Sequence, residues 1–272
     1  MGAPCVLASL GASDPESRKH HLNGHKLDRT SASAFAKVAE SYERRRPGYQ
    51  PEVVAWLVEC LGIGPGTTVV DLGAGTGKLT RELVPTGARV IAVEPLDEMR
   101  KQLEAVVPGA EALAGSAEDL PLDDASADAI VAASAMHWFD LDRALPELHR
   151  VLRPGGGLGV IGQGRDLSQP LQEAVQEIIG RYLPDGSEFG VWREQMKASG
   201  LFRPGETFES RFEQLLDAEG LAERIGTISY IARLSDEDRA ELLGHVRALG
   251  EEQPETPFPF RYGVGGTIWW RT

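Results

Sequence analysis

The sequence has few cysteines and no long apolar run, and both absences exclude classes of protein. Cys5 and Cys60 are the only cysteines among 272 residues, which is too few for a disulfide scaffold and fits a reducing compartment. No apolar stretch approaches the ~20 residues that cross a bilayer, and the N-terminal region lacks the charged-then-apolar order of a signal peptide. We therefore expect a cytoplasmic protein that does not associate with a membrane.

Positive charge is also scarce. The chain has 28 Lys and Arg against 41 Asp and Glu, which gives a formal net charge of −13, and its one conspicuous basic run is 44–46. This balance argues against nucleic-acid binding, which depends on neutralised phosphates. His20, His21 and His25 are not accompanied by a cysteine or carboxylate cluster, so we expect no metal site. The sequence leaves open whether two copies associate as a homodimer.

Apolar periodicity changes along the chain and predicts its organisation. Residues 1–31 follow no structural period and are expected to form a flexible extension. Two predicted helices follow, one before Pro47 and one from Pro51 to Gly62. We expect residues 32–165 to form a ligand-binding core with these lid helices. Residues 166–272 are expected to form a helical cap together with the terminal strands of the same sheet.

Apolar strands alternate with amphipathic helices in the core region, which is typical of a doubly wound α/β sheet. We predict strands at 67–71, 88–93, 111–114, 128–133 and 157–162, and helices near 78–84, 96–106 and 141–152. Beyond Gly164 we predict helices near 168–183, 190–199, 216–226 and 235–250, and strands at 207–213 and 257–270. In such sheets, ligands bind at the carboxyl ends of the strands.

A glycine-rich turn joins the first predicted strand to a helix. Three glycines spaced two apart, Gly73, Gly75 and Gly77, follow Asp71. Glycine lets the backbone adopt positive φ and approach a ligand closely, so the turn predicts a nucleotide site. The NAD fingerprint is G-x-G-x-x-G, whereas here the third glycine comes one residue early and Lys78 takes its place. The spacing therefore argues against a dinucleotide.

The order Asp-Leu-Gly-x-Gly-x-Gly resembles motif I of class I S-adenosyl-L-methionine (SAM)-dependent methyltransferases. Two further motifs, His-Trp-Phe at 137–139 and Leu-Arg-Pro-Gly-Gly at 152–156, are similar to the type-11 small-molecule group, which includes relatives of trans-aconitate methyltransferase. The resemblance covers roughly residues 34 to 162. It implies a Rossmann-like, seven-stranded, mostly parallel sheet with an antiparallel C-terminal strand. It also implies SAM as cofactor, S-adenosyl-L-homocysteine as product, and a small-molecule acceptor.

The strand ends supply the expected cofactor contacts. Glu94 ends the second strand, where a carboxylate can accept hydrogen bonds from both ribose hydroxyls. The resemblance implies that Asp71, Tyr42 and Arg46 serve the methionine end of SAM, and that the loop at 116–118 edges the adenine, with either Ser116 or Glu118 at its amine. The predicted cofactor-binding residues are Tyr42, Arg46, Asp71, Gly73, Ala74, Gly75, Gly77, Glu94, Pro95, Ser116, Ala117, Glu118 and Ser134. A solvated arginine run at a helix end is the alternative for the region around Arg46.

The acceptor side is less defined by the sequence. His137 is the candidate catalytic base, and the alternative is a ring packed with its aromatic neighbours as a wall of the site. The predicted acceptor-binding residues are His137, Trp138, Trp192 and Tyr230. Further candidates for the walls are Phe212 and Tyr262, and candidates for an anionic acceptor are Arg193, Arg233 and Arg261.

Three functions remain as alternatives to methyl transfer. A protein with the same cofactor motifs could bind SAM or its product and catalyse a cyclisation, an elimination or another non-methylating step. A SAM-binding regulatory protein is a second alternative, and would be favoured if side chains filled the acceptor pocket. An NAD-dependent reductase is the third, and the glycine spacing disfavours it.

Overall fold

A seven-stranded mixed sheet forms the centre of the computed structural model, which describes residues 43–183 and 192–272. Its spatial order is β3-β2-β1-β4-β5-β7-β6. The strands are β1 Thr68–Leu72, β2 Arg89–Val93, β3 Glu111–Leu113, β4 Ala127–Ala133, β5 Leu152–Arg165, β6 Phe202–Leu216 and β7 Phe258–Arg271. Tyr42, the predicted extension and most of the first predicted helix lie outside the described residues.

Strand direction confirms the predicted sheet. The pairs β1 with β2, β1 with β4, β2 with β3 and β4 with β5 are parallel. Strand β7 runs antiparallel to both β5 and β6, so it is the one reversed strand of the sheet in the described residues. Strand order reverses between β1 and β4, and the carboxyl ends on either side of this point border a crevice where open α/β sheets bind ligands.

Helices cover both faces of the sheet. They are α1 Pro51–Leu61, α2 Thr80–Leu83, α3 Asp97–Val106, α4 Leu141–Val151, α5 Pro170–Gly180, α6 Trp192–Ser199, α7 Ala218–Gly226, α8 Ser229–Ala232 and α9 Asp236–Glu251. Helix α1 begins at the predicted proline and ends at Gly62, whose φ of 62° is left-handed. Among the described residues, no helix has the length and apolar character needed to cross a membrane.

Three buried clusters hold these layers together. Helix α4 packs Leu145 and Leu148 against one face of the sheet, and helix α1 packs Val53 and Leu57 against the other. The third cluster joins α5, α7 and α9 to the ends of β6 and β7. Strand β7 contributes to all three, since Trp269 lies in the first cluster, Ile268 in the second and Phe260 in the third.

Three elements differ clearly in length from their predicted ranges. The helix predicted at 78–84 is only Thr80–Leu83, followed by a 3-10 turn at Val84–Thr86, because Pro85 lacks the N–H that would continue an α-helix. The strands predicted at 157–162 and 207–213 extend to Leu152–Arg165 and Phe202–Leu216. Pairing with the long central β7 accounts for both extensions.

Close packing of α1 on the sheet depends on glycine in β5, and this generates a prediction. A Cβ at Gly159 would collide with Cδ1 of Leu57 and approach Cδ1 of Leu61 to 3.0 Å, whereas one at Gly162 would meet no atom within 4 Å. We expect Gly159→Ala to lower the free energy of unfolding by about 1–3 kcal/mol. Urea denaturation measures this change. The matched variant Gly162→Ala should leave stability unchanged, and equal effects at both positions would contradict the packing argument.

Candidate functional site

A cleft opens at the carboxyl ends of β1, β2 and β4. It has ≈ 740 Å³ of empty space, including the part open to solvent, which lies within the range of about 300–1,000 Å³ typical of small-molecule sites. Its lining residues are Leu72, Gly73, Gly75, Glu94, Pro95, Leu96, Met99, Ser116, Ala117, Glu118, Ala133, Ser134, Ala135, Trp138 and Phe139. The glycine-rich turn and the ends of three neighbouring strands therefore meet in one place.

The three glycines of the turn have different physical tasks. Gly73, Gly75 and Gly77 all have left-handed φ, at 67°, 58° and 84°. A Cβ at Gly73 would lie 2.9 Å from Cβ of Ala135, and one at Gly77 would lie 2.9 Å from Cγ2 of Val107. A Cβ at Gly75 would meet no atom within 4 Å. The outer two glycines permit close packing, while Gly75 leaves open the space beside the cleft.

The carboxylate of Glu94 holds the glycine turn in place through hydrogen bonds to the backbone. Its Oε2 accepts a hydrogen bond from the Gly75 N–H at 2.8 Å, and its Oε1 accepts one from the Leu96 N–H at 2.9 Å. Burial raises the pKa of Glu94, and the two backbone hydrogen bonds and the charge of Arg100 oppose that rise. The side chain is 5% exposed and lines the cleft. It therefore couples the shape of the glycine turn to the end of β2.

Asp71 lies beneath the turn rather than on the cleft wall. It is 1% exposed, and its Oδ2 accepts a hydrogen bond from Oγ1 of Thr80 at 2.6 Å. Burial raises its pKa to about 7, the nearby charge of Glu94 adds to the rise, and the hydrogen bonds from Thr80 oppose it. Asp71 thus joins β1 to the start of α2. The structure gives it a supporting place, and its predicted contact with the cofactor stays a prediction.

The loop after β3 closes another side of the cleft. Ser116, Ala117 and Glu118 all line it, as predicted positions for an adenine contact. Oε1 of Glu118 accepts a hydrogen bond from the Asp140 N–H at 2.8 Å, which ties this loop to the segment after β4. The choice between Ser116 and Glu118 as the residue at the adenine amine stays open.

Strand β4 ends in a strained residue at the cleft. Ser134 has a φ of 55° although it is not glycine, and such strain concentrates at functional sites. Its N–H donates to the Ile161 carbonyl at 2.8 Å, and its Oγ accepts from the Tyr49 hydroxyl at 3.4 Å. The second contact brings the segment before α1 to the edge of the cleft.

The predicted base His137 and its aromatic neighbours Trp138 and Phe139 differ in their position relative to the cleft. His137 lies on a 3-10 turn at Met136–Trp138 and is exposed, with its ring 5.1 Å from that of Trp138. Trp138 and Phe139 line the cleft, whereas His137 does not. A packed-wall role therefore fits the two aromatic neighbours better than His137.

The segment at 43–46 bridges the glycine turn and the cap. The Glu43 carboxylate accepts hydrogen bonds from Thr76 at 2.7 Å and Arg81 at 2.5 Å. Burial acts to raise the pKa of Glu43, but hydrogen bonds from Thr76 and Arg81 and the charge of Lys78 outweigh it and lower the pKa. Lys78 also donates to the Glu43 carbonyl at 2.9 Å. The end of the first helix is thereby attached to the turn.

The arginine run at 44–46 contacts the cap, and the predicted cofactor contact of Arg46 stays a prediction. Arg44 and Arg45 pair with Glu223, so the run is not simply solvated. Arg46 donates to Oγ1 of Thr227 at 3.1 Å and to its carbonyl at 2.9 Å. The guanidinium of Arg46 therefore lies against the end of α7 rather than on the cleft wall. Packing of the cap against residues 43–46 determines this direction.

Other predicted residues also lie away from the cleft. Trp192 packs edge-on against Trp269 at 6.3 Å, and Tyr230 is 9% exposed in the third cluster. Neither lines the cleft, and their predicted contact with the acceptor stays a prediction. Ala74 and Gly77 do not line the cleft either.

The remaining acceptor candidates have partners outside the cleft. Phe212 stacks on Tyr262 at 4.9 Å. Arg261 pairs with Glu213, Arg233 donates to the Ser229 carbonyl, and Arg193 lies over the Trp192 ring. Sequence reasoning missed the apolar lining residues Leu96 and Met99. Their signal was a position between the end of β2 and the first turn of α3, but apolar residues there also suit ordinary core packing.

Comparison with known proteins assigns the family. The Methyltransf_11 family, described as a methyltransferase domain, matches residues 70–160. An uncharacterized methyltransferase of Mycobacterium tuberculosis is 38% identical over 226 residues, which cover 83% of this chain and 89% of that protein. A malonyl-acyl-carrier-protein O-methyltransferase of Pseudescherichia vulneris is 32% identical over 154 residues, covering 56% and 61%. The chain belongs to the class I methyltransferases, a family that implies SAM as the cofactor.

Solved structures share the fold. A candidate type II methyltransferase from Anaeromyxobacter dehalogenans has a TM-score of 0.60 at 26% identity, covering 83% of this chain and 97% of that one. A 4+2 cyclase has a TM-score of 0.55 at 13% identity, covering 90% and 98%. The second similarity shows the fold alone. It indicates that this architecture also occurs in an enzyme named for a non-methylating reaction.

The raised pKa of Asp71 predicts a pH-dependent stability. Between about pH 4 and pH 7 the unfolded chain ionises Asp71 while the folded protein keeps it protonated, so the folded state loses relative stability as pH rises. Asp71→Asn removes this loss and retains an acceptor for Thr80. The unfolding free energy of wild type minus that of Asp71→Asn should fall by at least about 2 kcal/mol across this window.

Urea denaturation at several pH values measures that difference. The control is Asp123→Asn, a matched replacement at an exposed aspartate, and the effect of Asp71→Asn is compared with it at each pH. A flat profile for Asp71→Asn would show that the folded protein ionises Asp71 at its ordinary pKa.

Proposed function

We propose that this protein is a SAM-dependent methyltransferase that acts on a small molecule with an oxygen, nitrogen or carbon nucleophile. The observation that carries the proposal is Gly75, which leaves open space beside a cleft whose shape Glu94 fixes. The fold supplies a nucleotide site at this edge, and the glycine spacing disfavours a dinucleotide. SAM supplies an electrophilic methyl group on a sulfonium.

The lining residues fit SAM as a ligand. The buried carboxylate of Glu94 can accept hydrogen bonds from ribose hydroxyls, since each oxygen holds only one backbone N–H. Leu96 and Met99 offer an apolar surface for the adenine, and Ser116 or Glu118 offers a polar edge. The backbone at Gly73 and Gly75 can approach the methionine chain. A cleft with apolar walls and a few convergent polar groups is the usual form of a small-molecule site.

The protein's task in methyl transfer is chiefly to align the reactants and exclude water. Trp138 and Phe139 form the wall of the cleft beside the end of β4, where they restrict solvent. An acceptor that is already an anion needs no base. A hydroxyl acceptor needs one, and the exposed His137 beside this wall is our proposed base.

The acceptor is proposed to bind between the core and the cap at 166–272. Segment 43–46 joins both parts through Thr76 and Glu223, so an acceptor there would be enclosed by the lid, the turn and the cap. The malonyl-acyl-carrier-protein relative supports a carboxylate as one class of methyl acceptor. The alternative function is a non-methylating reaction such as a cyclisation, supported by the fold shared with the cyclase.

Gly75 provides the sharpest test of the cofactor site. We expect Gly75→Val to weaken SAM binding by about a hundredfold or more, since the side chain would occupy the space that the cofactor needs. Gly62→Val is the matched control, because Gly62 has a similar φ of 62° and equally open surroundings at the end of α1. Calorimetric titration with SAM measures both affinities. Similar SAM affinity in the two variants would remove the turn from the site.

The reaction itself is tested with methyl-labelled SAM. Purified protein is incubated with the label and a small-molecule extract of its source organism, and mass spectrometry identifies metabolites that gain the label. Methyl transfer predicts a labelled product that is absent when Gly75→Val replaces the wild type. Protein that binds SAM but labels nothing would favour the non-methylating alternative.

A further inference from the structure

Arg165 is the last residue of β5, and one nitrogen of its guanidinium has no hydrogen-bond partner among the described residues. Its Nη2 donates to Oε1 of Gln176, while its Nη1 is buried and has no hydrogen-bond partner. Within residues 43–183 and 192–272, no carboxylate forms an ion pair with Arg165. Buried polar and charged groups are normally paired, because an unpaired one destabilises the folded state. Nη1 is therefore a donor for which the described residues supply no acceptor.

The phenol side chains of Tyr230 and Tyr262 interact with this guanidinium. Arg165 lies directly opposite Tyr262 in the pairing of β5 with β7, and both Tyr262 and Tyr230 interact electrostatically with it. Burial raises the pKa of Tyr230, so its hydroxyl stays protonated and can donate a hydrogen bond. The hydroxyl of Tyr262 accepts from Nε of Arg224 at 3.0 Å and donates to Oε1 of Gln214 at 3.1 Å, so Tyr230 is the phenol whose proton can serve a ligand. The cluster thus combines a cation with hydroxyl groups.

The position of Arg165 connects this cluster with the cleft. The Ile161 carbonyl accepts a hydrogen bond from the N–H of Ser134, which lines the cleft. Arg165 is four residues further along β5, a span of roughly 13 Å at the ordinary rise of a strand. Both positions lie at the same edge of the sheet. A ligand that reaches the end of β4 can therefore extend a second group toward Arg165.

We propose that Arg165, with the hydroxyl of Tyr230, binds a carboxylate of the methyl acceptor. The inference rests on the proposed function, because it assigns a recognition group to the same acceptor. One open guanidinium edge matches a carboxylate, and the net charge of −13 disfavours a polyanion. At that distance along β5, this carboxylate is a recognition group and not the atom that is methylated.

Binding of simple acids to the full chain tests the proposal without SAM. The probes are malonate and benzoate, with malonamide and benzamide as uncharged counterparts, and calorimetry measures their affinities. We expect at least one acid to bind the wild type in preference to its amide. Arg165→Met should weaken the binding of that acid by about tenfold or more, and Arg165→Lys should restore part of the affinity.

A matched variant separates binding from structure. Arg271 also has a buried nitrogen without a hydrogen-bond partner among the described residues. It ends β7, which runs antiparallel to β5, so it lies at the other end of these strands from Arg165. Arg271→Met should therefore leave acid affinity unchanged. Arg165→Met should keep or raise the melting temperature, because it removes an uncompensated charge, whereas a purely structural arginine would lower it.

Three results would overturn the proposal. They are no binding of either acid to the wild type, equal acid affinity in the wild type and Arg165→Met, and inorganic phosphate binding as tightly as the acids. Titration with SAM is performed separately on the same proteins. A failure of SAM binding would therefore count against the proposed methyl transfer, while the acid affinities alone decide the role of Arg165.

Discussion

The two hydrogen bonds that Glu94 accepts from the N–H groups of Gly75 and Leu96 hold the site in shape. They join the glycine turn after β1 to the loop after β2, and both loops line the cleft. Asp71 and Thr80 support the turn from beneath, so two buried carboxylates share a small volume under one loop. Burial raises the pKa of both carboxyl groups, and the charge of Glu94 adds to the rise at Asp71. Burial of the two carboxyl groups destabilises the folded protein, and strain of this kind concentrates at functional sites.

The cap depends on this turn through a second set of contacts. Glu43 binds Thr76 and Arg81 on the turn side, while Arg45 pairs with Glu223 of α7. Three parts of the chain that are far apart in sequence therefore meet along one short segment. Because segment 43–46 touches both the turn and the cap, any movement of the cap relative to the sheet must break or rearrange these ion pairs. Enclosure of an acceptor and support of the turn are thus physically linked.

Much of the fold was predictable because its signals are local. Alternating apolar segments, Pro51 and Gly62 at the ends of α1, and the spacing of Gly73, Gly75 and Gly77 depend only on neighbouring residues. Nine of the predicted site residues line the cleft for the same reason, since they follow the ends of parallel strands. The predictions for Arg46, Trp192 and Tyr230 depended on the direction of side chains between layers. No local pattern determines that direction, and none of the three lines the cleft.

The sequence by itself determined the mixed α/β sheet, the nucleotide turn and the family, because glycine spacing and apolar periodicity constrain the backbone directly. Only the tertiary structure decided which polar groups lack partners. In the sequence, Arg165 is an ordinary residue near a strand end. In the folded protein, β7 places Tyr262 opposite it, and Gln176 of α5 binds its guanidinium. Burial without a counter-charge is a property of packing between distant segments. For that reason the cofactor side could be inferred from the chain, while the acceptor side required the folded molecule.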